Sequence, residues 1–590
     1  MENKKIKFVD NYTGKEVETE LPNSSKYDFL YERNKDYMNE IALTFDKRRI
    51  TYEELHQRID EYTRALYSNG IRQGDVIGVC VVNTPESVYL LYALDRIGAT
   101  VVGLSPLNNE YKMQRDIEMV RPQKIISVDM FYDKFKNSCE ALNITPILYS
   151  PLESVSNPIV KLGYSAMQLK KGNKLFGLDH NLKSIVKNGK YVDAKLGEFD
   201  PTQVTDIMFT GGSSGVHKGV DLNGNGLNSV VKALDNVLIL EPGMTHLGNI
   251  PFGHMVFGRL VLHYALCKNL QFALTLNALP NKFYDELART KAHGAMGGPI
   301  HWESLIGNPN IKPGSLSELI QPLSGGEMFK PEKRKQAEEA LRIGGSSAYI
   351  GDGLGLTEMW APTHVNMGGK NTPGTVGFAI PFVESKVVDP KIFESFNPNA
   401  KYNLEELPVG EVGLLIVSGP GMMLGYHDNI NETNKVFIND ENGKRWYSTG
   451  DLVIRCGINN NEFKFAGRKK RNFVSGVDNI YPEQIEALLL RFPEIREVAV
   501  TKIPDDKYQY LPKYHISLID ENCNVEILKN KIDVLIEGTL GSSALAGYIE
   551  YTYTPLPRTD NGKINATILE QQDLELYKKN EGLTLVRKGY

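Results

Sequence analysis

Apolar positions recur with a helical period from Thr51 onward. In ITYEELHQRIDEYTRALYSNG, Leu55, Ile59, Tyr62 and Leu66 fall on one face, Thr51 and Glu54 fit a capping box, and Gly70 can end the helix. The next stretch, DVIGVCVV, is a continuous apolar run of strand length. PESVYLLYALDRIGA then reads as a helix opened by Pro85, and TVVGLS as the following strand. Strand, helix and strand at this spacing predict a parallel sheet covered by helices on both faces, an α/β fold. The pattern changes at GRKKRNFVSGVDNIYPEQIEALLLRF. A basic run and a glycine turn lead there into a helix opened by Pro482, with Ile485, Leu488 and Leu489 on one face, and EVAVTKIP is a further strand candidate. We place a boundary near Lys470, dividing the chain into a large N-terminal part, 1–469, and a small C-terminal α+β domain, 470–590. Residues 154–200 are rich in Lys, Gly and Asn with weak periodicity, which predicts an insertion or long surface connection.

A chain of 590 residues with 41% hydrophobic and 24% charged residues has the balance of a folded protein with a large core. Its net charge of −5 argues against a general affinity for nucleic acid or anionic membrane, and the basic run RKKRN has no interleaved aromatics, so it reads as a solvated face. The five cysteines are scattered without CxxC pairs, which predicts reduced thiols. No apolar stretch is long enough to span a bilayer, and the first residues lack a signal-peptide core, so the expected compartment is the cytoplasm.

Chemistry concentrates in a few short segments. FTGGSSGVHKGV, starting at Phe209, offers uncovered backbone N–H groups, hydroxyls and the Lys218 ammonium, a donor set suited to phosphate oxygens. It does not satisfy the G-x-x-x-x-G-K-[ST] pattern, since Lys218 follows Gly215 by three residues and precedes Gly219. A lone run of this kind is as often a flexible surface turn. The same chain carries GDGLGLTEMW, YSTGDLV, FAGRKK and PRTDNGKIN. Taken singly, TGD is a common turn, and Asn561-Gly562 marks a tight turn that presents Lys563 at its tip.

In order and spacing these five segments resemble the signature set of the adenylate-forming superfamily, which includes acyl- and aryl-CoA synthetases, firefly-type luciferases and peptide-synthetase adenylation domains. The resemblance runs from about Ile41 to Ile564 and takes in IPFGHMVFG, LSGGE, VGEVGLLIVSGPGMMLGYHD and VTKIPDD. It implies that a carboxylic acid is joined to ATP as an acyl-adenylate, with release of pyrophosphate, and that the acyl group passes to a thiol. By the same resemblance Thr210, Ser213, Ser214, Gly215 and Lys218 would wrap the phosphates, with Gly325 and Gly326 also at the nucleotide. Thr357 would meet the α-phosphate and Glu358 would hold Mg²⁺, a sensible role for a hard carboxylate oxygen. Asp451 would accept from the ribose hydroxyls beside Arg468, since a carboxylate can take both bonds. Lys470 matches the hinge about which the small domain swings, and Lys563 the lysine that reaches the substrate carboxylate and the α-phosphate.

Two departures from the family pattern stand out. His217 replaces the usual proline before the lysine, and Gly211 replaces a hydroxyl residue after Thr210. Ser475 and Gly476 match the turn bordering the thiol tunnel, but Val477 stands where many CoA ligases have a second glycine. His254, Gly297, Gly298, Gly351 and Gly353 are candidates for the acyl pocket. Small wall residues favour a long or bulky apolar acid, although each glycine could equally serve a backbone turn. The expected activity is an AMP-forming acid–thiol ligase acting on a fatty or aryl acid, with ATP, Mg²⁺ and CoA. The alternatives are a ligase that loads the phosphopantetheine arm of a carrier protein, and a non-catalytic ligand-binding relative. The oligomeric state is not legible.

Overall fold

The computed structural model describes residues 5–9, 14–170, 181–210, 218–327, 329–367, 371–372, 374–394, 396–469, 471–475, 478–505, 507–559 and 563–579. The predicted helix spans Tyr52–Ser68, with Thr51 Oγ1 accepting from the Glu54 amide and Gly70 just beyond its end at a φ of 89°. Val76–Cys80, Pro85–Ile97 and Thr100–Gly103 follow as strand, helix and strand, and the two strands pair in parallel.

This unit starts a seven-stranded sheet ordered Gly425–Tyr426, Lys218–Leu222, Asp206–Thr210, Thr100–Gly103, Val76–Cys80, Lys124–Val128 and Thr145–Tyr149. Its last five strands pair in parallel; Lys218–Leu222 returns antiparallel on Asp206–Thr210. A second sheet of nine strands has a parallel centre. Gly351–Leu356, Gln321–Gly325, Gly294–Gly297, Thr245–Gly248 and Gln271–Leu274 lie side by side, so their carboxyl ends share one edge. The α/β class expected from the alternation is the class observed. Helices Pro85–Ile97, Gly224–Leu234 and Val256–Cys267 are buried almost throughout and join both sheets to one core.

A buried charge cluster fixes the strand that leads into the glycine-serine loop. Asp206 accepts from Arg259 Nη1 at 2.7 Å and from Lys26, and Lys26 lies 3.5 Å from Asp95. Opposite charges in a dry interior are tolerated only as a set, so removing one leaves the others uncompensated. Arg259→Ala is expected to destabilise the fold by about 3–5 kcal/mol in denaturant unfolding.

A six-stranded sheet carries Arg445–Cys456, which pairs antiparallel with Glu462–Arg468 and sets Asp451 opposite Arg468. Beyond it the chain forms its own core from Phe473, Ile485, Leu489, Val498, Ile516 and Ile532. Ile495–Asp505 and Gln509–Leu518 pair antiparallel and Tyr548–Thr552 joins in parallel, with helices Pro482–Leu489, Val525–Leu540 and Ala566–Lys579 around them. Between 154 and 200, Leu182–Gly189 forms a helix that buries Leu182, Ile185 and Val186. Three apolar residues at helical spacing seat it on the core, a signal too brief to stand out in a polar segment. No helix among the described residues is long and apolar enough to cross a membrane.

Candidate active site

Strand ends gather the candidate residues. Gly297-Gly298, Gly325-Gly326 and Thr357 lie at or just past the carboxyl ends of adjacent parallel strands of the second sheet, the edge at which α/β folds hold ligands. Thr210 ends a strand of the first sheet, and Lys218 opens its antiparallel partner. Ser213, Ser214, Gly215 and His217 lie outside the described residues, as do Lys470, Gly476 and Val477.

Asp451 is fully buried and is the most informative group of the site. Arg468 Nε forms an ion pair with Oδ1 at 2.9 Å, outside hydrogen-bonding geometry, and among the described residues neither carboxylate oxygen has a hydrogen-bond partner. Burial pushes its pKa up to about 6 against the pull of Arg468, and Glu358 adds to the rise. Two buried acceptors that lack a hydrogen-bond donor among the described residues form an incomplete site, and a vicinal diol has the two hydroxyls that would complete it. Lys563 Nζ donates to the Gly326 carbonyl at 2.8 Å and lies 3.8 Å from Glu327. Burial lowers its pKa, partly offset by Glu327. The turn carried by the C-terminal part therefore reaches the strand ends of the N-terminal part.

Thr357, Glu358 and Met359 form one 3-10 turn. Glu358 Oε1 accepts from the Tyr426 hydroxyl at 3.0 Å, and Tyr447 is buried beside both. Lys218 Nζ lies 4.5 Å from the centre of the Tyr426 ring and pairs with Glu432, which also binds Lys435. Those two lysines hold the Glu432 carboxyl down at about 2. Tyr426 and Glu432 were not singled out from sequence. Tyr426 lies within the GYHD landmark, but nothing local marks Glu432, which meets a lysine 214 positions away. Glu432 stands where an anion would sit on Lys218. Glu432→Gln is expected to lower the KM for ATP about two- to fivefold in steady-state kinetics, the modest effect of a half-exposed pair.

The glycines divide into two groups. A Cβ at Gly351 would lie 2.6 Å from Leu323 Cδ2 and 2.7 Å from the Asn366 carbonyl, and one at Gly297 would lie 3.0 Å from His301 Cβ. Close strand and helix packing requires these two, and they lend no space to a pocket. Around Gly298, Gly325 and Gly353 the nearest atoms to such a Cβ are 3.7 Å or more away, including the Phe257 ring beside Gly325, so a methyl there would meet only ordinary van der Waals contacts and packing does not demand a glycine. His254 carries a buried Nδ1 without a hydrogen-bond partner among the described residues, and burial lowers its pKa to about 4, leaving a neutral imidazole. Ser475 is likewise buried, its hydroxyl without a partner among the described residues.

Known proteins resemble this chain in sequence and in fold. The chain is 25% identical over 497 residues to a long-chain-fatty-acid–CoA ligase of Bacillus subtilis, covering 83% of this chain and 84% of that one. It is 23% identical over 555 residues to luciferin 4-monooxygenase of Photuris pensylvanica, covering 92% and 94%. Among solved structures, ATP-bound MatB from Rhodopseudomonas palustris superposes with a TM-score of 0.77 at 19% identity, over 94% of this chain and 100% of that one. The anthranilate CoA ligase AuaEII in complex with anthranoyl-AMP also reaches 0.77 at 19% identity, over 95% and 99%. Residues 30–427 match the family model described as AMP-binding enzyme, and with the strand-edge site, the buried Asp451 and the five ordered segments the chain belongs to that adenylate-forming family.

Proposed function

We propose that the protein activates a fatty or aryl carboxylic acid with ATP and transfers the acyl group to CoA. The observation that carries this reading is that Lys563, bonded to the Gly326 carbonyl and beside Glu327 at the strand edge, lies within electrostatic reach of the buried Asp451 and of Arg468, and that neither Asp451 oxygen has a hydrogen-bond donor among the described residues. In the first step a substrate carboxylate oxygen attacks the α-phosphorus of ATP, the bond to the β-phosphate oxygen breaks, and pyrophosphate leaves. Negative charge moves toward the leaving group and spreads over the α-phosphoryl oxygens. A fixed ammonium and backbone donors stabilise that distribution more than they stabilise bound ATP. Lys563 supplies the ammonium to the carboxylate and the α-phosphoryl oxygens, Thr357 contacts the α-phosphate, and Thr210 and Lys218 with the loop between them cradle the rest. Asp451 and Arg468 hold the ribose.

Glu358 would hold Mg²⁺, whose chemistry here is to neutralise phosphate charge; a carboxylate oxygen already oriented by the Tyr426 hydroxyl suits it. In the second step the thiol sulfur attacks the acyl carbon, AMP leaves, and the thiol proton passes to solvent. That step needs Lys563 out of the way. We assign the pivot to Lys470, with Ser475 and Gly476 beside the thiol path and a cytoplasmic setting for the reaction. The small residues Gly298, Gly325 and Gly353, where close packing does not demand a glycine, with the Phe257 ring beside Gly325 and a neutral His254 three residues before Phe257, support an apolar acid. The names of the fatty-acid and anthranilate ligases among the relatives support the same substrate range.

The test is carboxylate-dependent pyrophosphate release from ATP across fatty, aryl and amino acids, with and without CoA. Turnover that needs CoA and favours one apolar class supports the proposal. Release that stops after one equivalent despite CoA would transfer the acceptor role to a carrier-protein thiol, and no release with any acid would overturn the reading.

A further inference from the structure

Lys563 lies ten residues before Asp573, the centre of a buried charge cluster. Asp573, on helix Ala566–Lys579, is buried, and its carboxylate accepts from Lys513 Nζ at 2.5 Å and from Thr501 Oγ1 at 2.7 Å, with His515 Nε2 at 2.8 Å. Lys513 and His515 lie on strand Gln509–Leu518, and Thr501 on strand Ile495–Asp505. Glu550, on the third strand, closes the set at 2.7 Å from Lys513 Nζ and 3.4 Å from His515 Nδ1. Lys502 and Glu570 add an outer pair at 3.6 Å. The carboxylates and imidazole have the composition of a metal site, but Lys513 bonds both carboxylates and serves as the cation.

This cluster is an expensive way to attach a helix. Leu569, one turn earlier on the same face, already packs with Ala499 and Leu556. A buried carboxylate with three donors adds what an apolar contact lacks: a single allowed rotation and register of the helix. That register is transmitted directly to the turn. Asn565 caps the helix, its side chain accepting from the Ile568 amide at 3.2 Å, while its own amide donates to the Pro557 carbonyl at 2.7 Å. Thr559 and Lys563 bond each other through the Thr559 amide and the Lys563 carbonyl at 2.7 Å, and Arg558 pairs with Glu497 on the same sheet. The Lys563 backbone is thus held at both ends by the one sheet, once through Glu497 and once through Asp573.

We propose that Asp573 is a positioning residue for adenylation, acting through Thr501, Lys513 and His515 to fix the helix register that aims Lys563 at the strand edge. This rests on the functional reading above. A displacement of Lys563 by a fraction of an ångström weakens contacts made to the migrating charge and leaves ground-state binding of ATP and acid nearly intact. The thiol-transfer step, which does not use Lys563, is unaffected.

The experiment compares Asp573→Asn with the parent enzyme in both half-reactions, followed by hydrogen exchange of the full chain. The expected result is a loss of about tenfold in kcat for pyrophosphate release with KM values within about twofold, and unchanged transfer from supplied acyl-adenylate to CoA. Amide exchange should quicken in the turn around Lys563 before it does elsewhere. Equal losses in both half-reactions, or unchanged adenylation, would overturn the proposal. Should Asp573→Asn not fold, Thr501→Val, which keeps the side-chain shape and removes one donor, decides by the same split at about threefold, and a variant without the split overturns it. If the parent enzyme shows no adenylation, the functional reading fails; exchange at the turn needs no turnover and still decides whether Asp573 holds it.

Discussion

Lys563→Ala is expected to lower carboxylate-dependent pyrophosphate release by about a hundred- to a thousandfold, the usual effect of losing one preorganised donor to a charge that develops in the transition state. The ammonium spans two parts of the chain. It donates to Gly326 and faces Glu327 across the strand edge, while its backbone belongs to the C-terminal turn. Alanine removes the cation and its bond to the Gly326 carbonyl, but it leaves the folded cores untouched. Transfer from supplied acyl-adenylate to CoA should stay within about twofold, because that step does not move charge onto the α-phosphate. Half-reaction kinetics check both. Because burial depresses the Lys563 pKa, the adenylation rate of the parent enzyme should fall as pH rises through that lowered value, earlier than an ordinary lysine would allow.

Asp451→Asn should act in opposite directions on stability and on nucleotide binding. The buried carboxylate has a pKa pushed up to about 6, above its ordinary value of 3.8. Holding it ionised therefore costs folding free energy, and the cost appears as pH rises from about 4 through 6. A shift of this size corresponds to about 3 kcal/mol at neutral pH. Asparagine carries no charge, so the variant without nucleotide should melt several degrees higher at pH 7 and show no advantage at pH 4. Yet the ribose would face a group with one acceptor in place of two, and the KM for ATP should rise about ten- to a hundredfold from the loss of a charge-assisted bond. Thermal melts at pH 4 and pH 7, with and without ATP, check both arms. A variant that lost stability at pH 7 would mean that Arg468 already offsets the burial of the carboxylate.

The glycine pattern illustrates why the site was only partly legible. Four glycines and His254 were candidates of equal standing by sequence, because a missing side chain looks the same whether it makes room for a ligand or for a neighbouring strand. Packing separates them: Leu323 and Asn366 fill the space at Gly351, whereas a methyl at Gly298 or Gly353 would meet only ordinary van der Waals contacts. Glu432 and Asp573 had no local signal at all, since each acquires its meaning from a lysine far along the chain. The helix Leu182–Gly189 was missed for a related reason, three apolar residues being too few for a clear period in a lysine-rich stretch.

Sequence alone determined the α/β class and the order of the five chemical segments, because periodicity and capping are local and short motifs keep their residue types and spacing wherever the chain goes. It also determined the kinds of group present: an ammonium at a turn, a carboxylate beside a threonine, a glycine-serine loop. Only the tertiary structure decided which of these meet. Asp451 is acidic by sequence, but its raised pKa and unpartnered oxygens come from burial by elements far apart in the chain. Lys563 is a turn lysine until a separate sheet and a buried carboxylate ten residues on direct it to Gly326. Long-range packing sets burial, field and aim, and those three quantities turn a list of polar residues into a site.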